Sequence, residues 1–313
     1  MGRWRSGKRS MRGSKVIYEE APGPVVASRQ PGKDCGGGPS RERERTSRPW
    51  AACPVCDGPE TGRACAMTMR CGTCGTVFRD PPAGGRGREA VARAADAREA
   101  LYESAFAIPY YEERREAEVL AGEAMRGFLK ITRRRPATLN GLDKNVLEVD
   151  CGLGMRLLAF QGCGWRATGT ETSAAAFEYA RRQSLDVRPG SLAEMLAGGI
   201  PRLEGSFGGT RFDLIFFCGS LGRVVRPRWV AEKLRGVVTF GGLVCVLREP
   251  LACRGAKLAA DPSRLILYTA DSLRRLFCEH RFSFMSQELA EGIGTFWFRL
   301  KSRARQRPTL VRR

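Results

Sequence analysis

One histidine, His280, stands among 313 residues, so acid–base work at any site falls to other side chains. No run of eighteen apolar residues occurs, so no helical membrane span is indicated and no membrane partner is expected. The N-terminus is basic but lacks the apolar stretch of a secretory signal, and a cytoplasmic location is the expectation. Met11 offers an alternative start. No Gly-Lys-Ser/Thr tripeptide is present, so a phosphate-binding P-loop is excluded, and no internal repeat is evident. Acidic residues are also scarce: 33 Asp/Glu face 53 Lys/Arg, a net charge of +20.

That charge is unevenly placed. Residues 1–50 carry twelve Lys/Arg against five Asp/Glu, and residues 301–313 carry six Lys/Arg and no acid, so 13 of the 20 excess charges lie in the two ends. Basic tails can meet nucleic acid through its phosphates. An arginine-rich composition with solvated ends accounts for the same pattern, and a nucleic-acid partner is not favoured. Pro22, Pro24, Pro31 and Pro39 interrupt an N-terminal arm without apolar period, which predicts disorder over 1–50 and a basic tail over 301–313.

Twelve cysteines without a secretory signal point away from a disulfide framework. Four form two knuckles, Cys53-Pro-Val-Cys56 and Cys71-Gly-Thr-Cys74, separated by fourteen residues. Each knuckle offers two thiolates from one tight turn, and two such pairs facing each other satisfy tetrahedral zinc. A zinc ribbon over 51–82 is therefore expected, structural because four thiolates leave no open position. Cys65 lies between the knuckles and is not counted as a ligand. Asp80-Pro81-Pro82 reads as a turn, since Ala83 follows where base-directed chemistry would need an aromatic.

Residues 83–140 are rich in Ala, Glu and Arg and predict two or three helices broken near Pro109, as a cap over the following domain or as packing at its edge. From 141 to 300, strands and helices alternate as a mostly parallel sheet requires. The run Val146–Val149 reads as a buried strand that breaks into the turn Cys151-Gly152-Leu153-Gly154. A helix over Met155–Gln161 follows, then a strand from Arg166 that ends at the acid Glu171. Strand, glycine turn, helix, strand and acid is the arrangement by which a doubly wound sheet holds a nucleoside. A dinucleotide fingerprint is excluded because Leu157 stands where the third glycine belongs. Glu148, at the entrance of the turn, suits a ligand with a positive end better than a pyrophosphate.

On these residues the chain resembles the class I S-adenosylmethionine-dependent methyltransferases, whose first motif is an acid followed by a glycine-rich turn and whose second is an acid ending the next strand. Glu148, Gly152, Gly154 and Glu171 match, while Asp150 stands where the family's first glycine sits. The resemblance covers about 51–300 and extends to a subgroup with an N-terminal zinc ribbon, carried by Cys53 through Pro81, Tyr110-Tyr111 and the turn. It implies a seven-stranded Rossmann-like sheet with an antiparallel last strand. It also implies S-adenosylmethionine held by Glu148, Asp150, Cys151, Gly152, Gly154, Glu171, Thr172, Ser191, Cys218 and Gly219, with Ser191 near the adenine. The implied function is methyl transfer to carbon or oxygen of a small molecule, sugar or secondary-metabolite-like. Two alternatives remain: a catalytically impaired relative, suggested by Asp150, and a nucleic-acid methyltransferase using the basic tails. Many members of the subgroup carry Leu-Glu-His after the fourth strand, where this chain has Leu221-Gly222-Arg223. Tyr102, Tyr110, Tyr111 and Glu112 are then the candidates for proton transfer, and no catalytic residue is assigned.

Overall fold

The computed structural model describes residues 52–59, 61–65, 68–79, 87–105, 110–133, 143–197, 207, 209–252, 258 and 261–301. The expected basic ends, the Asp80-Pro81-Pro82 turn and most of the Gly198–Thr210 loop lie outside the described residues.

A seven-stranded sheet carries the fold. Its strands are β4 (Asn145–Val149), β5 (Arg166–Glu171), β6 (Asp186–Pro189), β7 (Phe212–Cys218), β8 (Val238–Pro250), β10 (Phe282–Ala290) and β11 (Ile293–Leu300). They lie in the order β10-β11-β8-β7-β4-β5-β6. Pairing is parallel from β6 through β8, and β11 runs antiparallel to both its neighbours. The sequence explains why both faces are covered: β7 reads Phe-Asp-Leu-Ile-Phe-Phe-Cys, and successive residues point to opposite sides. Ile215 and Phe217 join Leu147, Val149, Val244 and Val246 in one core, while Leu214 and Phe216 join Val146, Leu243 and Cys245 in the other.

Helices α3 (Met155–Gly162), α4 (Ala174–Arg182), α5 (Leu192–Leu196), α6 (Pro227–Val237) and α7 (Ala270–Cys278) connect these strands. Ser173 caps α4, Ser191 caps α5 with a reciprocal bond to Glu194, and Pro227 opens α6. The helical segment ahead of the sheet forms α1 (Gly87–Ala105) and α2 (Tyr110–Thr132). The two have different tasks. In α2, Leu120, Ala121, Ala124, Met125 and Phe128 form one apolar stripe buried against Phe160, Trp165 and Trp297 on a sheet face. In α1, Ala94, Arg98 and Tyr102 lie at four-residue spacing, and Arg98 is buried. Thus α2 packs on the sheet, whereas α1 reaches the strand tips.

The cysteine module is a small antiparallel sheet of β1 (Thr61–Cys65), β2 (Thr68–Cys71) and β3 (Val77–Arg79). Its fourth strand, β9 (Ile266–Leu267), comes from far down the chain, with Val77 paired to Leu267 and Phe78 to Ile266. A two-residue strand has no period to read, so the sequence offers no signal for it. Arg79 adds three bonds from its guanidinium, to the carbonyls of Arg264 (2.8 Å), Leu258 (3.1 Å) and Asp261 (3.0 Å). Ribbon and sheet domain are therefore stitched together.

Candidate cofactor cavity and metal cluster

The cavity follows from the strand order. Because β5 and β7 flank β4 and their crossovers leave in opposite directions, a crevice opens outside the carboxyl ends of the strands. A cavity of about 440 Å³ lies there, within the range of small-molecule sites. Val149, Leu192, Val224 and Leu265 supply apolar walls, and Asp150, Thr172, Gly190, Ser191, Arg98 and Arg223 supply polar ones.

The turn after β4 needs three residues in left-handed backbone: Asp150 at φ 56°, Gly152 at 60° and Gly154 at 79°. Asp tolerates that region better than most side chains, which is how it stands in for the expected glycine. Its carboxylate accepts from Arg223 Nε at 3.2 Å and lies 4.0 Å from Arg98. The glycines are required for reasons the sequence does not show. A Cβ on Gly152 would lie 2.5 Å from the Tyr102 hydroxyl, and one on Gly154 would strike Leu185. Cys151 turns away from the cavity and fills the space above Gly169.

Glu171 ends β5 as expected and is fully saturated. Its Oε1 accepts from Arg98 Nε (2.9 Å) and from the amides of Thr172 and Ser173 (2.8 Å each), and its Oε2 accepts from Arg98 (2.6 Å) and the Gly152 amide (2.7 Å). Burial alone would raise its pKa, but the guanidinium and the amides hold it below the usual carboxylate range. Glu171 does not line the cavity; Arg98 stands between. Tyr102 sits over that guanidinium, 5.2 Å from ring centroid to carbon, and burial pushes its own pKa up to about 12. It is a hydrogen-bond donor at neutral pH and not a base. The side chains of Tyr110, Tyr111 and Glu112 lie outside the described residues.

Glu148 is paired with Arg156 through Oε1, while its buried Oε2 has no partner. Desolvation pushes its pKa up to about 7 against the pull of Arg156. The folded chain therefore holds this proton more tightly than the unfolded chain, where glutamate releases it near 4.5. The resulting stabilisation is complete below about pH 4.5 and is lost as pH rises through about 7, of order 3 kcal/mol. Urea titrations of Glu148→Gln across pH 4.5–8 are expected to lack this slope. A slope unchanged from the parent would show that Glu148 is ionised throughout.

The remaining expected positions divide. Thr172 and Ser191 line the cavity, although the Ser191 hydroxyl is engaged with Glu194 in the helix cap. Cys218 and Gly219 are not among its lining residues, and burial pushes the Cys218 thiol up to about 11. Gly219 instead offers its carbonyl to Arg264 at 2.7 Å. Arg98, Arg156 and Arg223 are the residues that sequence reasoning left without a role here. The signal for Arg98 was present: an arginine between Ala94 and Tyr102 on one helical face is a charge aimed at an interior partner. His280, on the opposite flank, follows the end of α7 and its pKa is lowered by burial and then by Arg228.

The four knuckle cysteines converge. Cys53 and Cys74 sulfurs are 3.6 Å apart, Cys56 and Cys71 sulfurs 3.5 Å, and all four lie within 4.8 Å of one another. Sulfurs about 2.3 Å from a tetrahedral ion would be roughly 3.8 Å apart, so the cluster can hold a metal. Cys65 is placed in β1 by its backbone, and its side chain lies outside the described residues.

No family model and no curated protein matches the sequence. Solved structures do resemble parts of the chain. DesVI of Streptomyces venezuelae is 14% identical with a TM-score of 0.45, over 60% of this chain and 92% of that one. A structure reported for conversion of a disulfide bond into a thioacetal group during echinomycin biosynthesis is 19% identical with a TM-score of 0.42, over 56% and 81%. A SAM-dependent methyltransferase from Methanosarcina mazei is 12% identical with a TM-score of 0.42, over 53% and 98%. The class of the fold rests on the sheet itself: seven strands in this order with only β11 reversed form a Rossmann-like sheet of the class I methyltransferase type. Among the described residues no helix is long and apolar enough to cross a membrane.

Proposed function

We propose that this chain is an S-adenosylmethionine-dependent methyltransferase acting on a small-molecule acceptor, with a structural zinc ion in the ribbon. The observation that carries this reading is the cavity at the strand tips, bounded by the β4 turn on one side and by Gly190-Ser191 after β6 on the other. The residues fit the cofactor in kind. The unpartnered Oε2 of Glu148 lies fully buried beneath the cavity and does not line it; an ammonium group would satisfy it only by reaching past Asp150. Val149, Leu192 and Leu265 offer apolar contact for a base. Glu171, at the tip of β5 behind Arg98, is the carboxylate for a diol. In the structure that last seat is taken by Arg98.

The cofactor would supply an electrophilic methyl group on a sulfonium. The chain's contribution is orientation and exclusion of water, which supply much of the rate in an in-line displacement. Where the subgroup carries Glu-His, Gly222 and Arg223 stand here, and Arg223 is committed to Asp150. Asp150 and Glu194 are the carboxylates that line the cavity; Glu194 is bound into the Ser191 cap, which leaves Asp150 to accept a hydrogen bond from an acceptor hydroxyl. The acceptor we assign is sugar or secondary-metabolite-like and methylated on carbon or oxygen.

A second reading, a methyltransferase fold that has given up its cofactor, is favoured by the saturation of Glu171. Calorimetry with S-adenosylhomocysteine on the full, zinc-loaded chain separates the two. One-to-one binding is expected, and a folded protein with no heat at sub-millimolar ligand would leave the scaffold reading in place. Nucleic-acid methylation draws no support from the cavity, and the basic ends lie outside the described residues.

A further inference from the structure

The pairing of Arg98 with Glu171 has the form of a bound ligand. A fork of two N–H groups meets both oxygens of a fully buried carboxylate, at 2.9 and 2.6 Å, while the third nitrogen faces Asp150. Five donors converge on Glu171, which uses up the lone-pair positions of a carboxylate and leaves none for a newcomer. The donor comes from outside the sheet domain, on α1. That helix touches the cradle at three further points. Glu99 accepts the amides of Ala174 and Ala175 at the start of α4, each at 2.9 Å; the Tyr102 hydroxyl closes over Gly152; and Ala94 and Ala95 form cavity wall.

We propose that Arg98 is an internal competitor that sets nucleoside affinity: its guanidinium occupies the diol seat on Glu171, and a nucleoside enters by exchanging two hydroxyl donors for it. This rests on the cofactor reading above. A vicinal diol is the chemistry that matches, since it brings two donors at a spacing similar to the guanidinium fork. A ligand without one cannot repay the lost pair, because a buried carboxylate left with fewer donors is costly. The exchange also moves a cation. Once off Glu171, the Arg98 guanidinium keeps a nearby anion in Asp150, which lies 4.0 Å from its third nitrogen.

Competition of this kind has a definite consequence. When only a fraction of molecules has the seat free, apparent affinity falls by that fraction. Arg98→Ala is therefore expected to bind S-adenosylhomocysteine at least about tenfold more tightly than the parent, although the variant without ligand melts at a lower temperature. Arg98→Lys, which cannot form the fork, is expected to lie between them. The 2′-deoxy analogue of S-adenosylhomocysteine is expected to show its smallest disadvantage in the parent, where it can bind with Arg98 still on Glu171, and its largest in Arg98→Ala, as only an empty seat rewards the diol fully; equal discrimination in both proteins would overturn the proposal.

The outcomes separate cleanly. If Arg98→Ala is folded by circular dichroism and binds no more tightly than the parent, Arg98 is a structural pair and the competitor is ruled out, while the cofactor reading stands. If neither protein binds, with zinc content and folding confirmed, the cofactor reading fails and takes the competitor with it. Should Arg98→Ala not fold, Arg98→Lys decides by the same comparison.

Discussion

Replacing Cys71 by serine, or stripping the ribbon with a strong chelator, is expected to lower the melting temperature of the whole described structure and not of the ribbon alone. Cys71 is buried in the cluster and closes β2, and the four sulfurs draw the two knuckle turns together. Structural zinc contributes about 10–16 kcal/mol in isolated finger peptides, so its loss unfolds a module of this size. Here the module does not end at its own boundary. Unfolding β3 strips the pairing partners from Ile266 and Leu267, removes the Arg79 bonds, and exposes Phe78 and Tyr268, which belong to the same core as Leu147 and Val149. Thr269 caps α7 and donates its hydroxyl to the Cys74 carbonyl at 2.9 Å, and Arg228 on α6 donates to the Val55 carbonyl at 3.1 Å. Calorimetry with and without chelator should show one transition moving down. Two transitions, with the larger unmoved by metal loss, would show that the ribbon is an independent appendage. Metal analysis of the purified chain should give one zinc per molecule.

The second large effect is expected at Gly222. A Cβ there would strike Arg264, lie 2.5 Å from the Ile266 carbonyl and lie 2.9 Å from a Glu249 oxygen. Those three groups are the junction between the sheet and β9. Glu249 is fully buried and accepts the amides of Leu221 (3.2 Å) and Gly222 (3.0 Å), and it is ion-paired with Arg264, whose side chain is 6% exposed. Backbone cannot yield as a flexible side chain can, so Gly222→Ala separates a buried pair. Breaking such a pair costs about 3–5 kcal/mol. A shift of roughly 6–12 °C or more in melting temperature follows for a domain of this size. Gly236→Ala, on α6 with nothing within 4 Å of the added carbon, is the matched control and is expected to melt at the parent temperature or slightly above. Equal melting of the two variants would overturn the account. The same geometry explains why restoring Leu-Glu-His at 221–223 is not a route to a catalytic pair: a glutamate at 222 has no room while Glu249 and Arg264 occupy the space.

These two sites mark how far residue pattern reaches. Pattern sufficed where chemistry is local. The nearly unbroken apolar runs over Phe212–Cys218 and Val146–Val149 specify buried strands, because a parallel sheet covered on both faces needs apolar residues on each side of the pleat. Cys53, Cys56, Cys71 and Cys74 point to a cluster able to hold a metal, because two thiolates from one turn have few other uses, and the structure brings all four together. Asp150, Gly152 and Gly154 declare a left-handed turn, and Glu171 a strand-tip acid. The pairing of ribbon strand β3 with Ile266–Leu267, nearly two hundred residues away, is not local and leaves no mark in either segment. The same holds for the seat on Glu171. Sequence placed the acid at the end of β5, but only the packing of α1 over the strand tips put Arg98 on it and Tyr102 over Gly152. A carboxylate's position comes from its own strand, whereas its partner is chosen by whichever surface the fold brings across it.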